Sequence, residues 1–431
     1  MHQAIGKYRW VICSLIFFAT TINYLDRAVI SLLKEKLEVI FKWTESDYAN
    51  IVIAFQLSYA IGMLGVGRLI DKVGVKMGYA LSGFFWSIAA IAHALVKTTV
   101  GFGVARAALG ISEAGNFPSA NKAVAEWFPK KERAFATGLF NAGANIGAIA
   151  APLTVPAIAE KWGWQWAFII TGAIGFIWLA LWMIFYDSPV KNARLKKAEY
   201  DYIRSDVEAA DDSSDTNQKF LWHHLFFKKQ TWVYIAGKFF TDPVWWFYLF
   251  WLPAFLKSEY SLTKTDVAFP IALVYTLATV GSIVGGWLPM YFIKKGFVIY
   301  KARKISMLIY ALCALPVVAV QLLGSYNQWQ AILLIGFVAA AHQAWSANML
   351  TTVSDMFPKK AIASVTGIGG MAGGIGGILF AKVAGVLFDY YKSNGHLATR
   401  YYIIFFVCGT AYISAWLIMH FLVPKMKAVE M

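Results

Sequence analysis

Apolar runs of membrane length follow one another nearly end to end along this chain, each closed by a short polar or basic turn. A hydrocarbon core about 30 Å thick takes about 20 apolar residues of helix. Windows of that size predict twelve helices, near 9–31, 48–69, 77–97, 99–121, 134–158 and 164–186, then 231–256, 267–292, 304–323, 329–354, 362–389 and 400–423. No A-x-A-like cleavage site follows the first, which is expected to remain as a span. One long polar segment, 187–230, interrupts the series with eight basic and eight acidic residues. It reads as a solvated linker with a short helix near 195–209, followed by LWHHLFFKKQ (221–230) lying along the membrane surface. The pattern predicts three parts: residues 1–186 and 231–431 as six-helix halves, and 187–230 between them. The expected class is an all-α polytopic membrane protein.

Composition agrees with the pattern. Of the 431 residues 59% are apolar and 15% charged, against roughly 45–50% and a quarter in soluble domains. The net charge of +15 raises nucleic acid as a partner, but its placement answers otherwise. With these spans, 23 of the 39 Lys and Arg fall on the side holding both termini and the even-numbered loops, seven on the other and nine within spans. That asymmetry places both termini in the cytoplasm, with the bilayer as the partner and no nucleic acid. Cys13, Cys313 and Cys408 lie singly in apolar segments, so neither a disulfide framework nor a metal site is expected. No HxxxxD or Cys/His constellation of a membrane enzyme is present, and no cofactor is expected.

An internal repeat sets the architecture. WFPKKERAFATG (127–138) and MFPKKAIASVTG (356–367) agree at seven of twelve positions at a constant offset of 229, and both follow an even-numbered span. Gly143 and Gly147 in span 5 are echoed by a glycine series in span 11, from Gly369 to Gly377. Two six-span halves joined by a cytoplasmic linker is the arrangement of major facilitator transporters, with the site between the halves at mid-membrane. After span 2, Gly67, Asp71, Lys72 and Gly74 form G-x-x-x-D-K-x-G. This resembles the superfamily loop that braces the outward-open state, with only a degraded counterpart, GGWLPMYFIKKG (285–296), in the second half.

Ionisable groups within spans cost several kcal/mol and are functional candidates by default. Asp26 and Arg27 sit in the NYLDR of span 1. Arg106 and Glu113 are two turns apart on nearly one face of span 4, where they can pair with each other. Tyr59, Asn141 and Asn145 can meet hydroxyls or serve as helix contacts. Lys238 and Asp242 are i, i+4 on span 7 and can pair, while His342 and Gln343 on span 10 can bind hydroxyls or relay protons. Trp245, Trp246 and Trp345 can stack on a sugar face or pack. His93, His223, His224 and His420 show no partner in the sequence.

NYLDR, the G-x-x-x-D-K-x-G loop and the run from Arg106 to Pro129 (R-x6-E-A-G-x-F-P…E-W-F-P) together resemble the anion:cation symporter family. The second half, with FTDPVWWFYLFWLPAF (240–255) and AAAHQAWSANML (339–350), is similar to its hexuronate branch. The galactonate branch carries Trp and Asn where this chain has Leu350 and Gly370–Met371, which counts against galactonate. The resemblance implies a proton-coupled symporter for a sugar acid, working as a monomer in the inner membrane, with glucuronate or galacturonate expected. It assigns proton coupling to Asp26 and Glu113, and the substrate carboxylate to Arg27, whose planar fork binds carboxylates bidentately. Anion binding is then expected to loosen the Asp26–Arg27 attraction. Tyr59, Arg106, Asn141, Lys238, His342 and Gln343 complete the expected substrate site. Carriers of dicarboxylates, aldonates, glucarate or organophosphates are the rivals within transport. A channel is disfavoured, because duplicated halves imply rocking about a central site.

Overall fold

A computed structural model of the chain describes residues 6–205, 222–260, 268–393 and 397–429. The helices are α1 (Tyr8–Leu32), α2 (Lys34–Phe41), α3 (Glu45–Val73), α4 (Val75–Ala92), α5 (Thr99–Glu113), α6 (Asn116–Trp127), α7 (Lys130–Lys161) and α8 (Trp164–Phe185). A short linker helix follows, α9 (Lys197–Ile203). Then come α10 (Lys229–Tyr260), α11 (Ala268–Lys294), α12 (Ile299–Ala314), α13 (Val320–Tyr326), α14 (Gln328–Met356), α15 (Ile362–Ser393) and α16 (Leu397–Leu422). No strand occurs among the described residues.

Ten stretches among the described residues are long and apolar enough to cross a bilayer. They coincide with ten of the twelve expected spans. Arg106 and Glu113 lie in one exception and Lys238 and Asp242 in the other, whereas Asp26 and Arg27 lie in α1, which qualifies. The expected span 99–121 is broken at Ala114–Gly115 into α5 and α6, where Gly115 lies so close to Ser82 that a Cβ would not fit. The expected span 231–256 is one helix, α10, of 32 residues, diluted by Lys238 and Asp242.

Side-chain packing follows from the sequence. Trp178, Trp182 and Tyr186 recur every fourth residue, and Trp86, Trp178, Trp182 and Tyr186 stack in one column through the first half, with centroids 4.0–5.6 Å apart. Exposed large apolar residues such as Phe18, Ile61, Val104 and Phe406 cover the outside, as lipid contact requires. Between the halves, α7 packs on α11 and α3 on α15.

The repeat marks equivalent breaks in the helices. Pro129 (φ −62°, ψ 151°) caps α7, and Pro358 (φ −64°, ψ 151°) stands at the start of the turn leading into α15. Each half also gives its partner a close backbone approach. Gly67 abuts the Ala363 carbonyl and Gly286 the Ala134 carbonyl, while Gly367 abuts that of Met63 and Gly138 that of Ser282. Ala134/Ala363 and Gly138/Gly367 are related by the 229-residue offset. The interface on the termini side is therefore pseudo-twofold.

The linker is less free than its composition suggests. Its helix covers 197–203, and residues 206–221 lie outside the described residues. Glu199 is 1% exposed; its carboxylate accepts from the backbone N–H groups of Tyr8 and Arg9, capping α1, and pairs with the Arg9 guanidinium at 3.0 Å. An acid at a helix N-terminus meets both orphan donors and the helix dipole. In the 222–227 turn, Leu225 is buried, Phe227 is exposed, and the Arg68 guanidinium lies 5.9 Å from the Trp222 ring.

Candidate substrate cavity

Between the halves lies a cavity of about 370 Å³ lined by residues of both, within the range of ~300–1,000 Å³ usual for small-molecule sites. Its lining reaches Ser31 and Tyr48, at the ends of α1 and α3 remote from the termini. Along its wall, polar contacts join the halves. Asn141 Nδ2 donates to Gln343 Oε1 at 2.7 Å and to Ser282 Oγ at 3.2 Å, and Gln343 Nε2 donates to Asn145 Oδ1 at 3.1 Å.

At the termini face the halves are braced. Gly74 (φ 85°) turns the chain between α3 and α4 in a conformation that favours glycine. Asp71, on the last turn of α3, pairs with Lys122 at 2.7 Å and accepts from the backbone N–H groups of Ser364 (2.7 Å) and Ala363 (3.3 Å) at the start of α15. Lys72 faces outward. Asn121 donates to Thr366 across the same seam at 2.9 Å. The second half supplies a partner brace that the sequence reading did not include. Arg303 pairs with Asp355 at 3.0 Å and donates to the Lys130 carbonyl at 2.9 Å, while Arg133 donates to the Ser354 carbonyl. Asp355 stands 229 residues after Glu126, so extending the repeat one residue upstream would have found it.

The first half presents guanidinium groups to the cavity. Arg27 pairs through Nε with Glu113 Oε2 at 2.6 Å, and its guanidinium lies 4.4, 4.8 and 5.3 Å from the Tyr59, Tyr24 and Phe55 rings. Arg106 lies 4.6 Å from the Phe55 ring and donates to the Arg27 carbonyl at 3.4 Å. Glu113 thus pairs with Arg27 rather than with Arg106, because the helix turn that aligns Arg106 with Glu113 also presents the carboxylate to α1. Asp26, adjacent to Arg27, points the other way. It is 2% exposed, is absent from the cavity lining and pairs with no basic side chain among the described residues.

The second half contributes a neutralised wall. Lys238 and Asp242 form the expected i, i+4 pair at 2.7 Å and line the cavity. His342 stacks parallel on Trp245 (5.1 Å, 6°) and hydrogen bonds through Nδ1 with the Tyr412 hydroxyl at 2.7 Å. Trp246 also lines the cavity, whereas Trp345 is fully buried against Tyr412. Tyr59, Arg106, Asn141, Lys238, His342 and Gln343 therefore share one cavity with Arg27, and Glu113 stands just behind it.

A two-half helical bundle with a central cavity bearing guanidinium groups is a carrier's architecture. Residues 16–381 match the Major Facilitator Superfamily, and the chain belongs to that family of multi-pass membrane transporters. It is 34% identical over 390 residues, 90% of this chain and 89% of the other, to the hexuronate transporter of Escherichia coli (strain K12). It is 32% identical over 286 residues to the galacturonate transporter of Dickeya chrysanthemi, covering 66% of this chain and 83% of that one. Against the D-galactonate transporter of Escherichia coli O6:H1 the identity is 30%, over 89% of this chain and 90% of that one. Among solved structures, the proton:xylose symporter superposes with a TM-score of 0.73 at 18% identity, covering 98% of this chain and 97% of that one. The fucose:proton symporter of E. coli gives 0.71 at 15%, over 97% and 100%.

Proposed function

We propose that this protein is a proton-coupled symporter that imports a hexuronate, glucuronate or galacturonate, across the inner membrane by alternating access, with both termini cytoplasmic. The observation that carries the reading is the Arg27–Glu113 ion pair at the edge of a cavity closed on the termini side. The similarity to hexuronate and galacturonate transporters supports the substrate class. In this reading a sugar acid enters from the face away from the termini and places its carboxylate on Arg27, with Arg106 nearby. It thereby competes with Glu113 for the guanidinium, and the displaced Glu113 takes a proton. Coupling thus runs through Arg27–Glu113 rather than through an Asp26–Arg27 attraction, with Asp26 a second proton carrier behind the wall. Lys238, Asn141, Gln343 and His342 meet the hydroxyl end, and the two halves, 1–186 and 231–431, rock about the site once the Asp71 and Asp355 braces release.

Proteoliposomes test this directly. A pH gradient, acid outside, at constant Na⁺ should drive glucuronate or galacturonate accumulation, and collapsing the gradient should abolish it. Accumulation restored by a Na⁺ gradient alone would refute proton coupling. A thermal-shift series on the purified protein should rank hexuronates above aldonates, aldarates and sugar phosphates, since ligands of the folded state raise Tm.

A further inference from the structure

Behind the cavity wall, α1 turns a second polar face inward. Thr20, Asn23 and Asp26 recur at i, i+3 and i+6, one stripe along the helix, and all are 0–2% exposed. The stripe continues toward the termini through Asn116, whose Nδ2 donates to Thr20 at 3.4 Å and whose Oδ1 accepts from the Tyr79 hydroxyl at 2.5 Å. Around Asp26 stand Arg106 and Glu113 of α5, within electrostatic reach. The Thr171 hydroxyl of α8 also faces it, but lies 3.4 Å from the Phe168 carbonyl to which it donates. His93, ending α4 on the far side, stacks on Phe168 at 5.0 Å.

Six buried polar atoms behind the cavity wall have no hydrogen-bond partner in the protein: both amide atoms of Asn23, both oxygens of Asp26, Nε2 of His93 and Oε1 of Glu113; Nε and Nη1 of Arg106, which lines the cavity, are unpartnered too. Each such orphan costs about 1–3 kcal/mol in a dry interior, and native proteins carry few. Polar interiors resolve this with ordered water making two to four hydrogen bonds. Asn23 is central because its amide donates and accepts at once and lies one turn from Asp26.

We propose that this stripe is a hydrated proton path inside the N-terminal half, separate from the substrate cavity, and that Asn23 is the positioning residue that holds its waters. The proposal rests on the proton-coupled reading above. On uptake, an excess proton carried along the waters as hydronium passes to a carboxylate oxygen of Asp26, leaving neutral water; on release that O–H bond breaks and the proton leaves as hydronium. Asn23 stays neutral throughout and only orients the chain. Proton and anion then reach the coupling centre from opposite sides of α1.

The test uses full-length protein carrying Asn23→Leu, near-isosteric and unable to hold water, and Asn23→Ser, which can. With glucuronate as probe, Asn23→Leu should lower pH-driven accumulation at least tenfold while Kd and counterflow stay within twofold, and Asn23→Ser should keep more than half of the accumulation. Radiolytic footprinting, in which hydroxyl radicals from bound water mark adjacent side chains, should label buried Tyr79 and His93 in the wild type, with Tyr79 labelling lost in Asn23→Leu. Wild-type accumulation in Asn23→Leu, no rescue by Asn23→Ser, or unlabelled Tyr79 would overturn the path. If Asn23→Leu does not fold, Asn23→Ser and wild-type labelling still decide. A wild type that shows no pH-driven accumulation refutes the coupling reading instead, and the footprint alone then judges whether the stripe is wet.

Discussion

The two walls of the cavity are built on opposite principles. The first half offers Arg27 and Arg106, with Glu113 engaging only the former directly and Asp26 turned away. The second half offers a closed Lys238–Asp242 pair and a stacked Trp245–His342–Tyr412 group. Yet on the termini face the halves are near copies, with Gly67 on Ala363 matched by Gly286 on Ala134. The duplication thus survives where the halves pack at the termini face and is lost in the walls of the cavity. A symmetric contact and an asymmetric cavity fit the proposal that one half holds the charged end of the substrate and the other its hydroxyl end.

The largest break in this comparison should come from Arg27→Lys. Charge is retained, but an ammonium cannot reproduce the fork that serves both Glu113 and a carboxylate. Losing one charge-assisted bidentate contact costs roughly 1.5–3 kcal/mol, or about tenfold to over a hundredfold in affinity, read as glucuronate Kd by calorimetry. Unchanged affinity would move the anion site to Lys238.

Next in size is the contact at the termini face. Asp71→Asn removes the Lys122 ion pair and weakens two bonds to the α15 N-terminus. A loss of about 1.5 kcal/mol shifts a two-state balance roughly tenfold toward opening on the termini face. In a background without Cys13, Cys313 and Cys408, a Ser354→Cys reporter should be alkylated correspondingly faster. An unaltered rate would mean that Asp71 does not brace the closed face.

The neutral wall should be more tolerant. Lys238→Met leaves Asp242 unpaired and should lower Tm, because an uncompensated buried charge is costly. Adding Asp242→Asn should restore most of that Tm, with glucuronate affinity within about tenfold of wild type, less than about 1.4 kcal/mol. A double variant that binds nothing would make the second half an anion anchor equal to the first. The smallest effect is expected of Trp245→Phe. Trading one aromatic stack for another costs about 0.5 kcal/mol, roughly twofold in affinity, and a tenfold loss would give Trp245 a direct role in sugar recognition.

Much of the fold was legible because membrane spanning is a composition and length constraint, and a repeat at fixed offset exposes duplication directly. Of the two spans that fell short of span criteria, one is divided by the break at Ala114–Gly115 and the other contains Lys238 and Asp242, while α1 meets the criteria despite Asp26 and Arg27. Within the site, i, i+4 spacing anticipated Lys238–Asp242, a contact local to one helix. Spacing failed for Arg106–Glu113, since the partner of Glu113 comes from α1, 86 residues away, and helix-to-helix rotation is not written in the period of either helix. The same limit hid which way Asp26 points and how Arg133, Arg303 and Asp355 converge. In the sequence Glu199 is one charge among sixteen in a polar linker, and only the tertiary fold shows it capping α1.

Whether Glu113 couples protons to substrate through Arg27 is decided by counterflow, pH-driven accumulation and melting temperature measured on one Glu113→Gln preparation. The amide keeps the shape of the protonated acid and can hydrogen bond to Arg27, but cannot release a proton. Counterflow should survive and Tm should stay near that of the wild type, while gradient-driven accumulation disappears. If Glu113 only neutralises its buried neighbours, removing its charge leaves them uncompensated at a cost of several kcal/mol. Parallel loss of counterflow, accumulation and Tm would then contradict the coupling role.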